Sequence, residues 1–288
     1  WSSDWRQGVY QLQYALAAVL LIALPSLARS SLAPGMAVAV LATCLLGAIF
    51  PDRFGGTFGN ENFAAAFVLM AVPFCLTWRW WWVAPVAAVY LVLFNASKME
   101  YVVAAVFLAG VGWYLVRDRQ WLGAGLVAFV LGAGSWLAVG YEGGWAVKSR
   151  VEFTLNTLRL WAEQPWFGHG FGSFNYEYGR LQAWHLTVLP DFRSILDSTG
   201  AAYYAGAAHN DYAQTLAEVG IVGFALVLAA LVLLRWRSDW QAALSLSVGL
   251  VLAAVEFPFQ NPGTLMLAAV AFGCLAGGRW LVRLPRWS

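Results

Sequence analysis

Long apolar runs are the feature of this sequence that most restricts its fold. One of them is IVGFALVLAALVLL, residues 221–234, which contains no charged side chain. A helix needs about 20 apolar residues to cross the hydrocarbon core of a bilayer, because each residue rises only ~1.5 Å and lipid cannot pair a backbone polar group. The whole chain is 61% hydrophobic and 11% charged, against roughly a quarter charged in a soluble domain. We therefore predict an integral membrane protein.

The apolar runs predict an all-α fold, a polytopic transmembrane helical bundle that forms one domain over 1–288. The nine predicted spans are 9–28, 32–50, 63–78, 81–96, 99–116, 121–141, 212–234, 241–257 and 263–281. A large loop at about 142–211 separates the sixth span from the seventh, and we expect it to contain amphipathic helices. The sequence opens at Trp1 without a signal peptide, so we also expect further spans ahead of it.

The distribution of charge orients the predicted bundle. One set of connecting segments holds nine arginines and two aspartates, whereas the other holds the remaining eight cations and thirteen acids. Arginine and lysine concentrate on the cytoplasmic side of membrane proteins. The first set is therefore assigned to the cytoplasm, and the second, which includes 142–211, to the periplasm or the cell exterior.

The cysteines indicate neither a disulfide framework nor a metal site. Cys44, Cys75 and Cys274 lie in apolar runs, and none has the CxxC or CxxH spacing of a zinc ligand set. We expect all three to be packing residues.

The polar clusters that are hard to explain as simple turns all fall on the predicted external side. They are 52–62, 95–100, 142–211 and 256–262. In the second cluster, Lys98 either snorkels and pairs with Glu100 or presents an ammonium group to a phosphate at the membrane surface. This placement predicts that the protein acts outside the cytoplasm.

The large external loop is predicted to begin with an amphipathic helix over 149–163. Arg150 lies near its start and Arg159 about two and a half turns later, so the two arginines need not share a face. Gln164 and Pro165 end the helix, and GHGFGS (168–173) is predicted to be a glycine-rich backbone turn. The aromatic residues of 175–208 either stack on sugar rings or anchor the loop at lipid headgroups.

His209 is the most informative residue of the loop. Asn210 or Asp211 is predicted to cap the seventh span, which places His209 directly before a helix N-terminus. The partial positive charge there favours the neutral imidazole, which can accept a proton, and the same helix end can receive an anion. The alternative is a histidine that only caps or hydrogen-bonds the loop.

Charged residues avoid the middle of every predicted span, and Glu218 and Glu256 lie near external span ends. Ion-coupled transporters normally carry ionisable residues or broken helices at the middle of the membrane. The sequence therefore disfavours a pump or a symporter.

Four segments occur in an order and spacing that resemble the O-antigen ligase and polymerase family of bacterial envelope polysaccharide enzymes. They are GTFGNENFAAAF, NASKMEYVVA, KSRVEFTLNTLRLWAEQPWFGHGFGSF and AHNDYAQTLAEVGIVGF. The resemblance covers about 50–280, and its most specific part is the pairing of GHGFGSF with HNDYAQTLAEVGIVG. It implies about a dozen transmembrane helices in the bacterial inner membrane, with a large periplasmic loop between two late spans and the active site facing the periplasm.

The resemblance also implies a reaction and its residues. Such enzymes transfer a glycan from undecaprenyl diphosphate to a sugar hydroxyl of a glycan or glycolipid acceptor, with inversion and without a metal or another cofactor. Arg150 matches the arginine that opens the external loop, and His209 matches the histidine proposed as general base. Lys98 stands where many relatives have arginine, which removes bidentate phosphate binding. Arg159 is a second candidate for diphosphate contact, and Asn210, Asp211, Tyr212 and Glu218 are candidates for orienting the histidine or binding sugar.

Four functions remain open from the sequence. The leading one is an O-antigen ligase-like glycosyltransferase, and the second is a polymerase that joins lipid-linked repeat units. The third is a non-catalytic transporter of lipid-linked glycans, and a structural subunit of an export complex is a further class. All of them predict membrane lipids as surroundings and no nucleic acid as partner.

Overall fold

The computed structural model describes residues 32–49, 61–94, 145–188, 207–236, 239–254 and 256–276, and these residues form α-helices without any β-strand. The predicted all-α class is confirmed. The elements are α1 (Leu32–Ile49), α2 (Glu61–Cys75), α3 (Val83–Phe94), α4 (Trp145–Glu163), α5 (Phe174–Val188), α6 (Asp211–Val232), α7 (Trp240–Leu252), a 3₁₀ turn (Pro258–Gln260) and α8 (Pro262–Ala276).

Two helices of the described residues, α1 and α6, are long and apolar enough to cross a membrane. This finding favours a membrane protein, but it does not confirm a bundle of nine spans. Helices α2, α3, α7 and α8 coincide with predicted spans and are shorter, at 12 to 15 residues. The predicted spans 9–28, 99–116 and 121–141 lie outside the described residues.

The described residues divide into two compact units, one of which contains α1, α2, α3, α7 and α8. Within it, α2 packs against α7 and α8. Val68 and Met70 of α2 and Val248 of α7 are almost completely buried, and each such side chain contributes roughly 1.5–3 kcal/mol by leaving water. The three cysteines are free thiols that are buried in this unit, as the sequence predicts for packing residues.

The other unit contains α4, α5, α6 and the segment 253–257. Helix α4 packs against both α5 and α6. The core of the unit is a hydrophobic cluster formed by Leu160, Phe174, Tyr178, Leu181, Ala208 and Ala217, with Phe153 and Trp161 packed against it. All the candidate site residues that the structure describes belong to this unit.

Helix α4 confirms the helix that the sequence predicts at 149–163, and it ends at Glu163, directly before Gln164 and Pro165. The expectation of helices in the loop did not place α5, because its sequence FNYEYGRLQAWHLTV is rich in aromatic residues and has no clear apolar stripe. Burial of Phe174 and Tyr178 in the hydrophobic cluster holds this helix in place, so tertiary packing overrides its weak local pattern.

Helix α6 is bent at Gly220, where φ is 67° and ψ is −175°. This is a conformation that only glycine adopts readily. The rings of Tyr212 and Phe224 are only 6.5 Å apart between centroids, whereas twelve residues of a straight helix span about 18 Å. The span predicted at 212–234 coincides with α6, and the bend at Gly220 is a feature that the sequence analysis did not predict.

The glycine-rich turn 168–173 fits into the bend of α6. The backbone N–H groups of His169 and Gly170 donate to the carbonyl oxygens of Ala217 and Glu218 at 2.9 and 2.8 Å. A methyl group on Gly168 would meet the backbone of Glu218, and one on Gly220 would meet the backbone of Trp166. The two glycines are therefore required by a close approach of two backbones.

The bend divides α6 into two halves of opposite character. The buried residues of the helix all lie in the first half, and they include Asp211, Gln214 and Glu218. Beyond Gly220, large apolar side chains such as Leu226 and Val232 are exposed. The polar half belongs to the core of the unit, and the apolar half presents a surface that suits lipid.

We predict that Gly220→Ala lowers the free energy of unfolding by more than about 2 kcal/mol, because it adds backbone strain and a steric clash at one position. Thermal unfolding in detergent measures this loss. Gly35→Ala in α1 is the matched control, since nothing lies within 4 Å of the added methyl group, and we expect it to stabilise the helix slightly. Equal melting temperatures for Gly220→Ala and the parent protein would contradict the bend.

Candidate functional site

The start of α6 fixes the position of His209. Asn210 is the N-cap in an extended conformation, and its side-chain oxygen accepts a hydrogen bond from the backbone N–H of Ala213 at 3.0 Å. The predicted cap at Asn210 is confirmed. His209 has a φ of 52°, and it is the one non-glycine residue with a positive φ in the part of the chain that the structure describes. Residues of this kind cluster at functional sites, because the surrounding structure must hold them there.

The carboxylate of Glu256 connects His209 to Arg150. One carboxylate oxygen lies 3.3 Å from Nδ1 of His209, and the other accepts a hydrogen bond from Nη2 of Arg150 at 2.9 Å. The side chain of Glu256 is 7% exposed, while those of Arg150 and His209 are 22% and 30% exposed. A buried carboxylate with a cationic partner and a ring partner thus lies beneath two side chains that still reach the surface.

Two phenylalanines enclose the imidazole. The ring of Phe153 is stacked on that of His209 at 5.7 Å between centroids and an angle of 17°, and the ring of Phe257 meets it edge-on at 4.7 Å and 88°. Phe153 lies one turn after Arg150 on α4, and Phe257 follows Glu256 directly. Helix α4 and the segment 256–257 therefore each supply one charged and one aromatic side chain to the site. The two rings restrict the rotation of the imidazole.

The backbone ties the segment of Glu256 to α6. The N–H of Asp211, the first residue of the helix, donates to the carbonyl oxygen of Ala253 at 2.8 Å. Asp211 itself is 2% exposed. The predicted span 241–257 is wrong at its end, because α7 stops at Leu252 and the following residues turn so that Glu256 reaches Arg150 and His209, while Pro258 cannot continue a helix.

The arrangement suits proton transfer. A carboxylate only accepts hydrogen bonds, so the neutral imidazole donates Nδ1–H to Glu256 and its Nε2 remains as the acceptor of a proton. Arg150 has five N–H donors, and its Nε is buried and makes no hydrogen bond to any described residue. The side chain as a whole is 22% exposed, so the guanidinium places a positive charge that an anion can approach beside the base.

The other predicted residues take different positions. Arg159 is exposed and donates to Asn156 at 3.1 Å. It lies nine residues from Arg150, about 13 Å along the axis and half a turn out of phase, so the structure does not bring the two arginines together. The ring of Tyr212 faces Phe224. Lys98 lies outside the described residues.

Glu218 is not beside the imidazole. It lies on α6 more than two turns after His209, and its carboxylate accepts hydrogen bonds from the backbone N–H of Gly172 at 2.9 Å and from the side chain of Gln214 at 3.1 Å. His169 is also structural, since its Nε2 lies 2.8 Å from the carbonyl oxygen of Leu160 and its side chain is 5% exposed. The turn 168–173 is thus a backbone turn, as the sequence predicts.

Sequence reasoning missed Glu256. It identified EFPFQNP as an external polar cluster but gave the glutamate no partner. The signal was a single carboxylate at the end of an apolar run, directly before Phe-Pro. Such a group is costly to bury alone, so a cationic or hydrogen-bonding partner could have been sought among the arginines of the loop.

The described residues contain no group of three or more His, Cys, Asp and Glu side chains that could hold a metal ion. No family model, no curated protein and no solved structure matches the chain. The resemblance to O-antigen ligases and polymerases thus remains a prediction from the order of the sequence motifs.

We predict that Glu256→Leu destabilises the protein by about 3 kcal/mol, because it leaves the largely buried guanidinium of Arg150 without its counter-charge. The double variant Arg150→Met/Glu256→Leu should recover most of this loss. Unfolding in detergent measures both effects.

Arg180→Met is the matched control. Arg180 is 53% exposed and pairs with Glu163 and with Glu177, which are 41% and 16% exposed, and a surface pair contributes at most about 1 kcal/mol. A loss in Glu256→Leu no larger than that in Arg180→Met would contradict the coupling of Glu256 to Arg150.

Proposed function

We propose that this protein is an inverting, metal-independent glycosyltransferase that transfers a glycan from undecaprenyl diphosphate to an acceptor sugar hydroxyl. Its active site faces the periplasm at the bacterial inner membrane. The observation that carries the proposal is the connection of His209 to Arg150 through the buried carboxylate of Glu256, at 3.3 and 2.9 Å.

The motif pairing is a second support. The segments GHGFGSF and HNDYAQTLAEVGIVG, which together are the most specific part of the family resemblance, contact each other through three hydrogen bonds, from His169, Gly170 and Gly172 to α6. Residues that are distant in sequence thus pack together on the helix that follows the histidine. This is what a shared active-site framework requires.

His209 acts as the general base in this proposal. Its Nε2 removes the proton from the acceptor hydroxyl while that oxygen forms a bond to the anomeric carbon of the donor sugar. Glu256 accepts the Nδ1–H hydrogen bond throughout, which fixes the tautomer and stabilises the imidazolium that forms. A positioned base of this kind typically contributes about 10²–10⁴ in rate.

Arg150 acts on the leaving group. The bond between the anomeric carbon and the phosphate oxygen breaks, and undecaprenyl diphosphate departs with the electron pair. The positive charge of Arg150 stabilises the negative charge that develops on the phosphate, and Lys98 supplies a second positive charge in this scheme. Attack and departure on opposite faces of the anomeric carbon invert its configuration.

The acceptor separates the two enzymatic versions of the proposal. A ligase uses a lipid A core sugar, whereas a polymerase uses another lipid-linked repeat unit. Purified full-length protein incubated with a lipid-linked oligosaccharide and each acceptor in turn should release undecaprenyl diphosphate with one of them. Translocation of the glycan in vesicles without any transfer product would instead favour a transporter.

We predict that His209→Ala lowers kcat for glycan transfer by about 10²–10⁴ with little change in the donor KM, because the variant removes the base but leaves the diphosphate contacts. Release of undecaprenyl diphosphate measures the rate. Arg180→Met, which alters an exposed ion pair, should retain the parental rate. Unchanged turnover in His209→Ala would remove the histidine from the mechanism.

A further inference from the structure

Two buried polar side chains of α6, Gln214 and Glu218, take part in no step of the proposed reaction. They are only 3% and 4% exposed. Burial of an amide and a carboxylate is unfavourable unless their polar atoms are paired. Their hydrogen-bond partners therefore indicate their role.

The two side chains form a continuous chain of hydrogen bonds. The backbone N–H of Ala208 donates to the side-chain oxygen of Gln214 at 3.1 Å. The side-chain nitrogen of Gln214 donates to Glu218 at 3.1 Å, and the other carboxylate oxygen of Glu218 accepts from the backbone N–H of Gly172 at 2.9 Å. These hydrogen bonds connect the glycine-rich turn with Ala208, the residue directly before His209.

His209 needs support on both sides, since a left-handed backbone conformation is unfavourable for a residue with a Cβ atom. After His209, the cap by Asn210 and the bond from Asp211 to Ala253 fix the chain. Before it, Ala208 is completely buried and its N–H is held by Gln214.

We propose that Gln214 and Glu218 are positioning residues that hold His209 in its left-handed conformation against Glu256, and this inference rests on the proposed role of His209 as base. The hydrogen bond between the two side chains runs from the amide of Gln214 to the carboxylate of Glu218. The amide of Gln214 accepts from Ala208 with its oxygen and donates to the carboxylate of Glu218 with its nitrogen, so glutamine at 214 and glutamate at 218 are complementary.

A swap of the two side chains tests the direction of pairing. Gln214→Glu places a carboxylate opposite that of Glu218, so that two acceptors face each other. In Glu218→Gln, the new amide oxygen can accept from only one of its two donors, Gln214 or the backbone N–H of Gly172, and its own NH₂ group faces the other donor. The double variant Gln214→Glu/Glu218→Gln restores one donor for each acceptor between the two side chains. We expect each single variant to lower kcat about tenfold, as for one unmade buried hydrogen bond, and the double variant to recover to within about threefold of the parent.

The KM for the acceptor should change less than about twofold, because the substitutions displace the base, which acts on the rate of transfer in the proposed reaction. A purely structural role would instead lower the melting temperature and the yield of folded protein but leave kcat per folded molecule unchanged. Gln214→Met removes both hydrogen bonds of the amide without adding charge. It is the variant to measure if one of the single swaps fails to fold. Single variants with parental kcat, or a double variant no better than the worse single one, would overturn the proposal.

A spectroscopic measurement separates this inference from the proposed function. The sequence contains three histidines, and the ¹⁵N resonances of His209 are identified by their absence in His209→Gln. We expect these resonances to shift in Gln214→Glu and to return in the double variant, whether or not the protein transfers a glycan. Absence of transfer by the parent protein would refute the proposed function, whereas unchanged His209 resonances in the single variants would refute the positioning role of Gln214 and Glu218.

Discussion

The buried carboxylate of Glu256 is the interaction on which the rest of the site depends. It lies between Arg150 of α4 and His209 at the start of α6, so a single side chain joins two helices that carry the candidate chemistry. A carboxylate at 7% exposure is unfavourable without compensation. There it is paired with the guanidinium of Arg150 and with the ring nitrogen of His209. In the proposed reaction these two side chains act on the leaving group and as the base.

The bend at Gly220 explains how the unit accommodates this site. Two glycine backbones approach each other where Gly168 meets α6, and the glycine-rich turn then donates its N–H groups to the polar half of the helix. The carbonyl groups that the bend frees from helical pairing are satisfied in this way. Glu218 and Gln214 extend the same network to Ala208, which connects the bend to the backbone at His209.

The sequence predicted those features that depend on local patterns. The cap at Asn210, the end of α4 before Gln164 and Pro165, and the turn at 168–173 each follow from residues that act on their immediate neighbours. The bend at Gly220 and the pairing of Glu256 could not be predicted in the same way. Both depend on contacts between residues that are about 50 to 100 positions apart, and a glycine or a glutamate beside an apolar run carries no sign of which distant backbone or cation it meets.

The division of α6 links the chemistry to the lipid. Its first half, from Asp211 to the bend, is buried with Gln214 and Glu218 in the core of the unit, whereas the apolar side chains beyond Gly220 are exposed. His209 lies eleven residues before Gly220, about 16 Å of helical rise from the bend. A lipid-linked donor presents its diphosphate near the headgroups and its chain in the hydrocarbon, so it needs a polar contact and an apolar contact at a fixed separation. Under the proposed function, the site at His209 and Arg150 would meet the diphosphate end of such a donor and the exposed apolar side chains beyond Gly220 its lipid chain, while the backbone contacts at Gly168 and Gly220 hold the bend of α6.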